Sequence, residues 1–395
     1  MNHSLAKLHQ IAGREERLIV GLMSGTSLDG LDVALCRFRG DGLQTSVHLL
    51  AFQTVSYSEE IKAEIQSVFA KRQADLQQVC LLNAWIGLMH AEMVLSCLKQ
   101  WNYKPAQVDL IASHGQTIYH APKSLHNLPD FPNATLQIGD GDHIAVRTGI
   151  ITLSDFRQKH LAAGGEGAPL AVYGDYLLFS REDEDRILLN MGGIANFTYL
   201  PGDLDAGRIF STDVGPGNTL IDAFTRHYFS GKAFDENGEI AASGTVHRNL
   251  LAALLDHPFF AAPFPKTTGP ELFSTDYVQH KQVQTHTHDL SAQDLIATLT
   301  RFSAEGIAHS IGRSFTDTRP VVYMSGGGMH NPVIVNGLKE LLPDFSFRDT
   351  AALDVAPDAK EAVLFAVLAN EAIAGGRTNF GTLPSVTMGK VSFPA

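Results

Sequence analysis

The sequence predicts an α/β protein built from two related α/β domains facing each other, because its second half repeats the pattern of its first. Val20–Gly30 reads as strand, glycine-containing loop, strand, and Arg186–Leu200 reads the same way. Later in each half a short buried strand runs into small residues, Val108–Ala112 into Ser113-His114-Gly115 and Val321–Met324 into Ser325-Gly326-Gly327-Gly328. A length of 395 residues suits about two or three domains. The boundary is expected at 155/156, giving an N-terminal domain over 1–155 and a C-terminal domain over 156–395.

The composition, 44% hydrophobic and 18% charged, is that of a globular chain with a sizeable core. A net charge of −12 without a basic patch argues against nucleic acid and anionic membrane as partners. Cys36, Cys80 and Cys97 lack CxxC spacing, which points to a reducing compartment and away from a zinc site. The N-terminus is polar and no apolar run is expected to span a bilayer, so a cytoplasmic location is expected.

In chain order, the apolar lead Leu18-Ile19-Val20 gives the first strand, and the alternation from Asp32 to Phe38 gives the second. Between them Gly25, Thr26, Ser27, Leu28, Asp29, Gly30 and Leu31 offer small residues, hydroxyls and main-chain amides, a composition suited to phosphate. It is no Walker loop, which needs Gly-Lys-Ser/Thr and a helix after it. An ordinary glycine-rich hairpin turn has the same composition. A third strand is expected near Val47–Tyr57, then a helix capped by Ser58. A longer helix follows from about Ala74 to Lys99, with Leu81, Leu82, Trp85, Leu88, Met89 and Met93 on its buried side.

Polar residues at the carboxyl end of a buried strand sit where α/β proteins bind ligands, which singles out His114 and Gln116. Ile150–Arg157 reads as a strand ending in charges, followed by a glycine-rich loop over Ala162–Leu170 that hinges or lies against a ligand. In the second half Asp213-Val214-Gly215-Pro216-Gly217-Asn218 closes a strand, and the helix from Thr219 points its amide donors at whatever lies in front. Asn331-Pro332 opens another helix as cap and first residue. A last helix covers Asp358–Ala374.

Together Gly21–Gly30, Ser113-His114-Gly115-Gln116-Thr117, Gln137–Asp140, Asp155-Phe156-Arg157, Asn190–Asn196, Asp213–Asn218 and Ser325–Pro332 resemble the anhydro-N-acetylmuramic acid kinases, over nearly the whole chain. The resemblance implies two ribonuclease H-like domains of the actin/hexokinase/Hsp70 type across a nucleotide cleft, and usually a homodimer. It implies an enzyme that uses ATP and Mg²⁺ to open the 1,6-anhydro ring of 1,6-anhydro-N-acetylmuramic acid with water and to phosphorylate O6.

By the same resemblance Gly25 to Asp32 bind ATP, with Asp29 also at the metal, and Asp213 is the general base. Glu361 reaches the substrate region. Asn190, Gly192, Gly193, Gly215, Gly217, Asn218 and Asn331 belong to the nucleotide site, and Gly326, Gly327 and Gly328 to its base and ribose loop. His114, Gln116, Asp155, Arg157 and Glu166 belong to the sugar site. The chain departs from the family at three places: Pro270 replaces an Arg, His160 stands for Asp, and Glu166 for Gln. An inward carboxylate at Glu166 would repel a muramic acid's lactate group, which keeps a neutral anhydrosugar such as levoglucosan as a rival substrate. A switch of the Hsp70 or actin type, driven by ATP without a sugar, is the alternative from another class.

Overall fold

The computed structural model describes residues 2–25, 28–269, 272–353, 357–376 and 378–395. The chain forms two compact units. The first comprises Met1–Phe179, Ala206–Arg208 and Asp354–Ala395; the second comprises Ser180–Asp205 and Ile209–Leu353. The boundary expected at 155/156 thus falls inside the first unit. The physical reason is the helix Lys360–Ala374, whose residues Ala362 to Asn370 are all buried. So apolar a segment needs a sheet to cover, and it returns to the first one, beside the helix Ala171–Phe179.

In the first unit β1 (Glu16–Ser24), β2 (Gly30–Arg39) and β3 (Ser46–Ser56) form an antiparallel meander. The later strands are β4 (Leu110–Ala121), β5 (Ala134–Ile138) and β6 (Ile151–Ser154). The sheet order is β3-β2-β1-β4-β6, with β4 and β6 parallel to β1. β5 hairpins onto the far half of β4, and the short strand Lys390–Ser392 closes the edge beside β6. Ile19, Val20, Leu110 and Ile111 are fully enclosed, as central parallel strands covered on both faces require.

The second unit repeats this plan. Its strands are β7 (Arg186–Met191), β8 (Ile194–Leu200), β9 (Phe210–Pro216), β10 (Val321–Ser325) and β11 (Phe347–Asp349), in the order β9-β8-β7-β10-β11. Again the first three are antiparallel and the last two run parallel to the first. Each sheet therefore has the ribonuclease H-like order, and the repeat read in the sequence is a repeat of topology. Aromatic packing dominates the second core, where Phe260 and Phe302 lie against Phe273 at 5.6 and 5.9 Å between ring centres.

Three local expectations change. β4 does not stop at Ala112 but runs through Ser113-His114-Gly115-Gln116, so this motif lies within a strand. The strand expected over Ile150–Arg157 ends at Ser154; Asp155 turns left-handed (φ 55°) and Arg157 sits on the helix Phe156–Ala162. The long helix, observed as Leu76–Gln100, buries Leu82, Ile86, Ala91, Val94 and Leu98, whereas Leu81, Trp85 and Leu88 are exposed. That helix is also long and apolar enough to cross a membrane by length and composition, contrary to expectation. It packs on the helix Gly141–Thr148 and the sheet instead. A helix apolar nearly all round gives no clear phase, so its buried face could not be read from periodicity.

Candidate active site

In the first unit β1 and β2 pair from Glu16↔Arg39 to Met23↔Asp32, which frames the hairpin loop. Thr26 and Ser27 lie outside the described residues. Leu28 and Leu31 are buried, so these positions offer a ligand main chain only. Asp29 is exposed, and its carbonyl accepts the Tyr57 amide at 3.1 Å. Asp32 accepts the Thr54 hydroxyl. Burial, followed by the charges of Asp358 and Asp29, nevertheless raises its carboxyl above the usual range.

Glu361 joins this acidic group from the start of the helix Lys360–Ala374. A Cβ on Gly21 would lie 1.9 Å from the Ala362 carbonyl oxygen, so the helix can approach β1 this closely only because residue 21 is glycine. The Glu361 side chain is exposed at its tip while the helix behind it is buried. Desolvation, and then Asp32, push its carboxyl up, against the pull of Lys360 and Arg157.

The residues expected at the sugar are spread over two settings. His114 is buried in β4 and its Nε2 accepts from Arg157 Nε at 3.0 Å. Burial, and then Arg157, depress its pKa to about 3, so it is neutral. Arg157 Nη1 donates to the Gly167 carbonyl at 2.7 Å, and the Gly167 amide donates to His160 Nδ1 at 2.9 Å. His160 is buried, and desolvation with Arg157 holds it near 4. Its proton-accepting nitrogen thus faces the glycine-rich loop's backbone. Glu166, next to Gly167, is exposed. Asp155 forms an ion pair with Lys390 at the sheet edge. Gln116 differs from expectation: it is wholly enclosed, with its carboxamide engaged by Ser24, Gly25 and Thr117.

In the second unit Asp213 lies on β9 beside the segment Lys266–Thr268, which pairs with it. The Asp213 amide donates to the Lys266 carbonyl at 2.9 Å, and the Thr268 amide donates to Asp213 Oδ2 at 2.8 Å. Burial raises the Asp213 carboxyl, and the Thr268 bond partly opposes this. The segment is anchored by Lys266. Its Nζ donates to the Phe259 carbonyl at 2.9 Å and lies 4.3 Å from the Phe259 ring centre and 4.8 Å from that of Phe264. Desolvation, and then Arg313, lower its pKa to about 8. Pro270 and Glu271 lie outside the described residues. Thr268 and the lysine's aromatic cage escaped sequence reasoning; Asp213, the partner of Thr268, lies far away along the chain.

The glycines of this unit mostly hold its loops together. The amides of Gly217 and Thr219 donate to the Gly193 carbonyl, and that of Asn218 to Gly192, at 2.8–3.2 Å. The amides of Asn218 and Thr219, at the start of the helix Thr219–Tyr228, are thus used on the hairpin between β7 and β8. Asn218 Nδ2 also donates to the Met191 carbonyl. Asn190 and Gly215 lie at the end of β7 and in β9. A Cβ on Gly326 or Gly328 would come within 2.8 Å of Met191 atoms, whereas Gly327 has room. Asn331 caps the helix Pro332–Leu341 through its Oδ1.

A ribonuclease H-like sheet present twice in one chain, each copy opened by a glycine hairpin, is the architecture of the actin/hexokinase-type phosphotransferases. The profile of the anhydro-N-acetylmuramic acid kinase family matches residues 17–392, and the chain belongs to that family. It is an enzyme, a kinase. The anhydro-N-acetylmuramic acid kinase of Pseudoalteromonas atlantica is 55% identical over 400 residues, with 100% of both chains covered. That of Caldanaerobacter subterraneus is 40% identical over 396 residues, covering 98% of this chain and 99% of the relative. Among solved structures, the activator of 2-hydroxyisocaproyl-CoA dehydratase from Clostridium difficile with bound ADPNP is 11% identical. It has a TM-score of 0.44 and covers 90% of this chain and 95% of its own. The ROK hexokinase from Thermus thermophilus is 15% identical with a TM-score of 0.33, covering 89% and 96%.

Proposed function

We propose that the chain uses ATP and Mg²⁺ to open the 1,6-anhydro bridge of 1,6-anhydro-N-acetylmuramic acid with water and to phosphorylate O6. The products are N-acetylmuramic acid 6-phosphate and ADP, a step of peptidoglycan recycling in the cytoplasm. Family membership supports the reaction, and the setting of Asp213 is the observation that carries the mechanism. Its carboxylate is partly desolvated, which raises its basicity, and is oriented by one main-chain amide. It takes a proton from the water that attacks the anomeric carbon. O6 departs from that carbon with developing negative charge and bonds to the γ-phosphorus as the bond from that phosphorus to the bridging oxygen of ADP breaks, and main-chain amides of Gly25–Asp32 stabilise the phosphate.

Arg157, already oriented by His114 and Gly167, has guanidinium donors left for the sugar's carboxylate. Glu166, being exposed, can stay in solvent, which weakens the case for levoglucosan. Among the described residues no three His, Cys, Asp or Glu side chains converge on a metal site. The neighbouring carboxylates Asp29 and Asp32 suit Mg²⁺, which is usually held by one or two carboxylates together with phosphates and water. Asp29, near Asp32, would hold it; burial first, and then the charges of Asp358 and Asp29, raise the Asp32 carboxyl, and an added cation would offset the part due to charge. When bound, Mg²⁺ neutralises charge at the phosphates.

A homodimer is part of this reading. Leu81, Trp85 and Leu88 expose an apolar face that, with Val146 and the Glu92–Arg147 ion pair, offers both charges to a second copy of itself.

The test is Asp213→Asn. Phosphorylation is expected to vanish while ATP affinity stays nearly unchanged; loss of nucleotide binding instead would make Asp213 a structural or metal residue. Turnover on anhydro-N-acetylmuramic acid, levoglucosan and N-acetylglucosamine, measured side by side, tests the substrate.

A further inference from the structure

We propose that Tyr57 is a positioning residue for the nucleotide, clamping both ends of the hairpin loop between β1 and β2, with His90 fixing the direction of the clamp. This rests on reading Gly25–Asp32 as the phosphate-binding segment. Backbone pairing holds the β2 end of the loop, where the β2–β3 ladder runs on to Gly30↔Ser56, more firmly than the β1 end. The β1–β2 ladder ends at Met23↔Asp32, and the β1–β4 register slips between Leu22 and Ser24. Tyr57 takes over from both. Its amide donates to the Asp29 carbonyl at 3.1 Å, and its hydroxyl lies 2.8 Å from Ser24 Oγ. Ser24 Oγ in turn bonds Gln116 Oε1, and Gln116 Nε2 donates to the Gly25 carbonyl at 3.3 Å.

The protons in this chain have one consistent order. Gln116 Oε1 only accepts, so the Ser24 hydroxyl donates to it. The Tyr57 hydroxyl therefore donates to Ser24, and its oxygen is left to accept from His90 Nε2–H, which stands 2.8 Å away. Ser24, His90 and Gln116 are at most 1% exposed and Tyr57 3%, so water cannot replace a missing link. Ser24, Gly25 and Asp29, tied down in this way, need not be ordered by the ligand. Neither Tyr57 nor His90 touches the reacting atoms.

The experiment compares Tyr57→Phe, His90→Phe, the double variant and His90→Gln, with Asp29→Ala as a direct lesion in the loop. ATP dissociation constants come from calorimetry, kcat and both KM values from coupled ADP release, and folding from thermal melts. One lost buried hydrogen bond predicts an ATP Kd weakened about fivefold in Tyr57→Phe. The KM for the sugar and kcat are expected to stay within about twofold. The double variant should be no worse than the worse single one, because both break one chain. His90→Gln, which keeps an N–H donor, should recover part of the loss.

An unchanged ATP Kd in Tyr57→Phe, with Asp29→Ala weakened, overturns the clamp and leaves the hairpin reading intact. Equal losses for ATP and sugar with a lowered melting temperature also overturn it, because they mark general loosening. If Asp29→Ala leaves ATP binding unchanged too, the phosphate-binding reading of the hairpin fails with it.

Discussion

The contact between β1 and the helix Lys360–Ala374 gives the most direct test of how packing sets this site. In Gly21→Ala the new methyl would sit 1.9 Å from the Ala362 carbonyl oxygen, 2.9 Å from its carbon and 3.1 Å from Ala366 Cβ. The obstacle is main chain on a buried helix, so no rotamer change relieves it, and helix and strand must part by roughly 1 Å. Overpacking of this kind costs about 1–3 kcal/mol, and the upper end applies because backbone must move. For a unit of this size the expected fall in Tm is about 6–12 °C. Glu361 immediately precedes Ala362 and moves with it. A displacement near 1 Å at a reacting centre can lower kcat/KM by about 10²-fold. Differential scanning calorimetry and coupled ADP release with anhydro-N-acetylmuramic acid read the two effects separately. A Tm equal to the parent's would refute the packing argument. A lowered Tm with full kcat/KM would remove Glu361 from the reaction.

Acid should destabilise the fold between about pH 6.5 and 4. His90 and His160 are held near 4 and His114 near 3 by burial, so the unfolded chain binds protons that the folded chain does not. Stability is therefore full above the ordinary histidine pKa and falls as pH drops through this window, by on the order of 3 kcal/mol for each group. Melts at pH 7.5, 6 and 5 measure this, and His160→Gln should flatten the slope. Lys266→Met should loosen the segment that orients Asp213, lowering kcat about tenfold with little change in ATP Kd; equal kcat would dismiss the aromatic cage as a support. Trp85→Asp should yield monomers in light scattering after size exclusion, and an unchanged mass would place the homodimer contact elsewhere.

Much of the local structure was legible. Ser58 and Asn331 cap the helices expected of them, and the strands around both glycine hairpins fall where alternation put them. Capping and alternation depend on neighbours a few residues apart, and such signals survive in sequence. Seven motifs in family order carried the identity of the enzyme for the same reason: each is a short run of chemistry.

What the sequence by itself determined was the type of most elements, the duplicated plan and the family. Tertiary structure alone decided which sheet the helix Lys360–Ala374 covers, which face of Leu76–Gln100 stays in solvent, and that Gln116 faces inward. It also placed His90 against Tyr57 and Thr268 against Asp213, residues 33 and 55 positions apart. These outcomes depend on which distant surfaces close over one another. Burial energy depends on area, not on the order of residues along the chain, so local pattern leaves such pairings open.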